Sequence, residues 1–126
     1  MPVLTEPPSM GDVLKYEVNP NYTREVVTLL IGTNYPSGAV LGRVTASGKY
    51  TLSPATGADG SQTAVAVLLY PVNATLADAV GIIVTRGPAI VSRTALAYEA
   101  TVNDAAKIAA KITQLGAVGI IARDGV

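Results

Sequence analysis

The chain has no cysteine and no histidine, and these two absences remove much of the reactive inventory of proteins. Without cysteine there is no disulfide, no zinc–thiolate site and no thiol nucleophile. Without histidine the usual general base near neutral pH and the commonest metal ligand are gone, and serine–histidine or cysteine–histidine machinery with them. Tryptophan and phenylalanine are also missing, so six tyrosines are the only aromatics and any base-stacking platform would have to use those alone. No apolar run reaches the length of a membrane-spanning helix. The longest candidate, residues 64–69, ends at Tyr70-Pro71. Neither the basic region nor the apolar stretch of a secretory signal is found at the start.

Charge is scarce as well. Charged residues make up 14 % of the chain, against ~25 % in ordinary soluble domains. Nine basic and nine acidic side chains cancel, which argues against a surface built to offset phosphate charge. Weak mutual repulsion makes self-association cheap. What the chain does have is 126 residues and a hydrophobic fraction of 49 %. That suffices for one domain burying roughly two thirds of its extended surface.

Residues 1–21 differ from the rest. They hold Pro2, Pro7, Pro8 and Pro20 and sustain no period of 2 or 3.6. Pro7-Pro8 cannot sit inside a helix or a central strand. The alternating piece over residues 13–18 can become a strand if a partner edge is offered. This stretch reads as a flexible N-terminal arm, ordered on binding, preceding a domain over residues 22–126.

From Arg24 onward the pattern is that of short strands. Val26, Val27, Leu29, Leu30 and Ile31 are followed by Gly32 and a loop through Tyr35-Pro36. Val40, Leu41 and Val44 form a second strand, in which Gly42 points to a bulge or a close backbone approach. Tyr50 and Leu52 follow a Ser47-Gly48 turn. Residues 64–70 are apolar enough to be covered on both faces, and residues 80–85 form another strong strand ended by Arg86-Gly87-Pro88. Ile90 and Val91 resume pairing beyond that turn.

One helix is evident. Ala105, Ile108, Ala109, Ile112 and Leu115 recur at spacings of three and four, so they share a face. Asn103 is placed to cap it, Lys107 and Lys111 lie on the polar side, and Gly116 supplies its end. Val118, Ile120 and Ile121 make a last strand. The expected fold class is α+β, mainly β: a compact barrel-like β body with one C-terminal helix.

No residue set rises to a catalytic site. Asp59-Gly60-Ser61 lacks the ligand spacing of a calcium loop, and residues 57–61 lack the glycines and lysine of a phosphate loop. Glu25, Asp59, Asp78, Glu99, Asp104 and Asp124 are scattered, so no pair is promoted to glycosidase-like chemistry. No metal or cofactor is called for. Arg86 and Pro88 form an exposed-looking turn, and an arginine there can anchor an interface. Tyr35 with Pro36, and Tyr98, can be contact residues or partly buried aromatics. Arg24, Arg43, Lys49, Arg86, Arg93 and Arg123 are dispersed, which counts against a nucleic-acid module.

The run Ser37-Gly38-Ala39-Val40-Leu41-Gly42-Arg43-Val44-Thr45-Ala46-Ser47-Gly48-Lys49-Tyr50 resembles the head decoration protein family of tailed bacteriophages, typified by the lambda-like protein. Asp59-Gly60-Ser61-Gln62-Thr63-Ala64-Val65-Ala66-Val67-Leu68 is similar to that family's second characteristic stretch. Val84-Thr85-Arg86-Gly87, and the helix followed by Gly119-Ile120-Ile121-Ala122-Arg123, resemble its closing elements.

The resemblance covers about residues 22–124. It implies a non-enzymatic cement that binds as homotrimers to three-fold positions of the mature head, with the major capsid protein as partner. Such a protein stabilises the shell against packaged DNA, is made in the host cytoplasm and ends on the outer capsid surface. It implies that the arm, through Val13, Leu14, Tyr16 and Val18, adds a strand to a coat-protein sheet edge. Tyr35, Pro36, Arg86 and Pro88 are then candidate interface residues. The rival readings are another virion assembly or tail β domain, and a hydrolase or lyase working through carboxylates.

Overall fold

Residues 13–124 are described by the computed structural model, and strands dominate them. β2 (Arg24–Leu29) pairs along its whole length with β8 (Ala79–Val84), antiparallel, with Arg24 opposite Val84 and Leu29 opposite Ala79. β8 continues to β6 (Ala66–Leu68), β6 to β4 (Val40–Arg43), and β4 to β5 (Tyr50–Leu52), all antiparallel. The ring β2-β5-β4-β6-β8 then meets itself at a parallel β2–β5 seam consisting of one pair, Leu29 with Tyr50.

The other strands stand apart from this ring. β1 (Leu14–Glu17) pairs antiparallel with β9 (Ala89–Ser92), and β9 pairs parallel with β10 (Ile120–Arg123). β3 (Asn34–Tyr35) and β7 (Val72–Asn73) form a separate two-stranded piece. The expected single barrel-like body with a flexible arm is therefore corrected. Strands are divided among three sheets, and the five-stranded ring is joined at one side by a single residue pair instead of a ladder. Residues 14–17 of the expected arm are a strand, and Pro20–Thr23 forms a one-turn helix, α1, capped by the Asn19 side chain. A short helical turn, Arg93–Ala95, follows β9, and the one long helix lies near the C-terminal end, as expected. Residues 1–12 of the arm lie outside the described residues.

Two cores follow from this division. Inside the ring, Leu29, Leu41, Leu68 and Ile83 pack with Tyr35, Ala39 and Ala74. Between the ring, the three-stranded sheet and the long helix, Val13, Val91, Leu115 and Ile120 pack with Val40, Val67 and Val84. The apolar run at residues 64–70 lies where the cores adjoin: Ala66, Val67, Leu68 and Leu69 are all buried. Adjacent residues of β6 serve opposite cores, Val67 one and Leu68 the other, as strand alternation requires.

The long helix, α2, spans Ala105–Ala117. Its cap is Asp104, whose carboxylate accepts the Lys107 N–H at 2.8 Å, one residue later than expected. Its packed line is Ile108, Lys111, Ile112 and Leu115, while Ala105 and Ala109 face solvent. Lys111, expected at the surface, is 2 % exposed. Its ammonium donates to Ser53 Oγ at 2.9 Å and to the carbonyls of Pro54 and Gln62 at 2.6 Å each. Burial pushes its pKa below the ordinary lysine value, while the Glu99 charge opposes the shift. The three acceptors offset part of that desolvation, and the stem fills the space a leucine would take. The left-handed residue after the helix is Gly119, at φ +85°, and not Gly116.

Candidate interaction surfaces

The N-terminal strand owes its position to the turn that follows it. Asn19 caps α1, which leads the chain from β1 into β2, and the last residue of β1, Glu17, then meets the first of β2, Arg24. Arg24 donates to Glu17 through Nε at 3.0 Å and Nη2 at 2.6 Å, and the Thr23 hydroxyl donates to Oε2 at 2.6 Å. Burial alone would raise the Glu17 carboxyl, but hydrogen bonds from Arg24 and Thr23 and the Arg24 charge hold it below its ordinary value of 4.5. A lowered carboxyl contributes stability that is complete above the unfolded-state value and lost as pH falls through the folded-state one. Glu17→Gln is therefore expected to flatten the acid limb of a stability profile, from about pH 5 downward. Acid unfolding curves of parent and variant check this, and parallel curves would contradict it.

The four residues expected to attach the arm divide by burial, on either side of a register shift between Leu14 and Tyr16. Val13 is fully buried against the core, and Leu14 opposite Val91 is half-buried. Tyr16 and Val18 are about half exposed, at 52 % and 50 %. β1 is an outer strand of its sheet, in the order β1-β9-β10, so its far side carries no strand among the described residues.

The four candidate interface residues also separate. Tyr35 is buried, with its hydroxyl donating to the Leu30 carbonyl at 2.7 Å, so its side chain belongs to the ring core. Pro36 beside it is exposed. Arg86 and Pro88 stand on the turn between β8 and β9, with Pro88 exposed. The Arg86 guanidinium donates to Glu25 at 2.6 Å and to the Tyr22 carbonyl, and lies 5.6 Å from the Tyr22 ring centroid. It is thus already engaged within the chain, where it fastens α1 to the turn.

Sequence spacing did not foresee a groove of about 550 Å³ between β2 and the β4–β5 turn. Its walls are Glu25, Val26, Val27 and Thr28 on one side and Arg43, Ser47, Gly48, Lys49 and Tyr50 on the other, with Val80, Thr85 and Arg86 completing it. The groove exists because β2 and β5 pair at Leu29–Tyr50 and then part. Lys49 is paired with Asp78 at 2.5 Å and Arg86 with Glu25, whereas Arg43 has no ion pair among the described residues. The guanidinium of Arg43 lies over Gly48, whose φ of +73° makes the turn. Val26 and Val80, 69 % and 66 % exposed, form an apolar strip on the adjoining sheet face.

Among the described residues the carboxylates give no catalytic arrangement. Asp59 is bonded by the Ser61 hydroxyl at 2.6 Å and its N–H at 2.9 Å, which lower its pKa and make the segment a side-chain-closed turn. Asp78 is lowered by Lys49 and by the Ile31 N–H. A general acid requires the opposite shift. Among the described residues no three acidic side chains gather where they could hold a metal ion.

A search of curated proteins returns no match. The family model described as bacteriophage lambda head decoration protein D matches residues 3–120, nearly the whole chain. It is a structural family of phage heads and not one of enzymes, and its match takes in both cores, the helix and the start of the last strand. With so much of the fold inside the match, the chain belongs to the bacteriophage lambda head decoration protein D family.

Proposed function

We propose that this chain, a phage head decoration protein associated with capsid proteins, works as a homotrimeric cement at three-fold positions of the mature head. It braces the shell against packaged DNA and attaches through residues 1–21. The observation that carries the reading is the family match over residues 3–120. The zero net charge and low charged fraction are compatible with three copies meeting closely. An obligate contact of that kind buries on the order of 2,000 Å² or more. Three tethered arms reaching one site gain through effective concentration, so each contact can be weak.

The folded position of Val13 and β1 decides how the arm should be tested. Removal of residues 1–21 also removes Val13 from a core and Glu17 from its Arg24 pair, so lost binding would be ambiguous. Removal of residues 1–12 avoids both. The shortened protein is expected to keep its melting temperature and its trimer mass by sedimentation, yet to leave expanded, undecorated shells bare by cryo-electron microscopy. The full-length protein is expected to give density at the three-fold positions. Undiminished decoration by the shortened protein would refute attachment through this segment, and a monomer at micromolar concentration would refute the trimer.

A further inference from the structure

We infer that the groove between β2 and the β4–β5 turn is a slot for one extended segment of another polypeptide, with apolar and acidic residues in alternation, which pairs with the open edge of β2. The slot is distinct from the N-terminal stretch and does not rest on the capsid reading.

The backbone supplies the first reason. The Thr85 N–H bonds the Thr23 carbonyl at 3.0 Å and extends the β2–β8 register. In an antiparallel ladder the bonded residues alternate, so Glu25, Val27 and Leu29 turn their N–H and C=O groups toward β8. Val26 and Thr28 turn theirs the other way. The Leu30 N–H confirms the alternation by bonding Tyr50 O at 2.8 Å on that second side. Beyond this seam no strand among the described residues pairs with Val26, so its N–H and C=O face the groove. An open edge of this kind is what β-augmentation uses.

Charge supplies the second reason and chooses the occupant. Three cations, Arg43, Lys49 and Arg86, line the groove against one carboxylate, Glu25. Two of the three cations are paired, and Arg43 is left without a carboxylate among the described residues. A strand entering beside β2 would place one row of side chains toward the cations and the other against Val26 and Val80. Acidic residues suit the first row and β-branched ones the second. A basic or uniformly apolar segment would leave Arg43 opposed or desolvated without a partner.

The test uses the full chain and a short blocked peptide alternating valine and glutamate, followed by ¹⁵N-resolved nuclear magnetic resonance. Saturable shifts are expected at Val26, Thr28 and Arg43, together with at least tenfold slower exchange of the Val26 amide. The same peptide with lysine in place of glutamate should bind at least tenfold more weakly, as should Arg43→Glu, while Arg43→Gln should fall between. Arg43 is exposed and unpaired among the described residues, so an unchanged amide spectrum elsewhere certifies the fold of both variants. Absence of shifts at millimolar peptide overturns the inference, and so does equal binding of the lysine peptide. Protection of Val26 that grows with protein concentration and needs no peptide would show a second copy filling the slot, and would overturn the assigned occupant.

Discussion

Replacing Lys111 with alanine is expected to lower folding stability by ~3 kcal/mol, more than any other alanine substitution on its helix except at Leu115. The ammonium holds one hydroxyl and two carbonyls from the irregular segment that includes Ser53, Pro54 and Gln62. Truncation deletes the buried stem and strands these acceptors where water does not replace the donor. Lys111→Met keeps most of the stem and deletes the ammonium with its three hydrogen bonds, and should cost about half as much because no cavity is opened. Denaturant midpoints of the three proteins check the order, and amide exchange should speed up over residues 53–62 first. An alanine variant within ~0.5 kcal/mol of the parent would show that the ammonium holds nothing the fold needs.

Gly42→Ala is expected to be as severe. A Cβ at Gly42 would overlap the Ser61 carbonyl oxygen, with its carbon 2.6 Å and its Cα 2.7 Å away. Those are backbone atoms of a loop fixed by the Asp59 turn and by the Thr45 N–H on Asp59 O at 2.9 Å, so nothing nearby can swing aside. The collision lies where β4 pairs with β5, Gly42 opposite Thr51. A loss of ~3 kcal/mol or outright failure to fold follows, against less than ~1 kcal/mol for Gly116→Ala, around which a Cβ finds open space. Thermal melts of both variants, run side by side, decide the matter. A Gly42→Ala protein as stable as Gly116→Ala would mean that β4 and the Ser61 loop are not in contact.

Glycine and periodicity were legible in the sequence for the same physical reason: each acts locally. Gly42 inside a strand pattern signalled a close approach, and the long apolar run at residues 64–70 signalled burial on both faces. The first agrees with the structure, and the second does over Ala66, Val67, Leu68 and Leu69 but not at Tyr70, which is exposed. The helix was visible from its spacing, but its rotation was misjudged by the habit of turning lysine outward. Lys111 lies three residues after Ile108 and four before Leu115, so it shares their face. Only the hydroxyl and two carbonyls of a segment some fifty residues away in sequence make that tolerable. Tyr35 was similarly ambiguous, because its burial depends on a hydrogen bond to Leu30 and on packing from β6 and β8.

The division into three sheets was not legible. Alternation tells which residues form strands, not which strand each one meets. β9 joins β1 and β10, one early and one late in the chain, while β8, only a turn away, joins the ring. The groove was hidden for the same reason. Arg43, Lys49 and Arg86 read as dispersed and become neighbours only because β2 has β8 on one side and β5 on the other.

The manner in which β1 is held has a mechanical meaning. Any tension on residues 1–12 enters the folded body at Val13, in a core, and passes along a strand joined to β9 at Leu14, Tyr16 and Glu17. A pull along that strand loads those pairs together, in shear, and the Arg24–Glu17 clamp lies at the far end of the joint. Under the proposed attachment through the N-terminal segment, a tether joined in this way would hand its load to the body before the strand could peel.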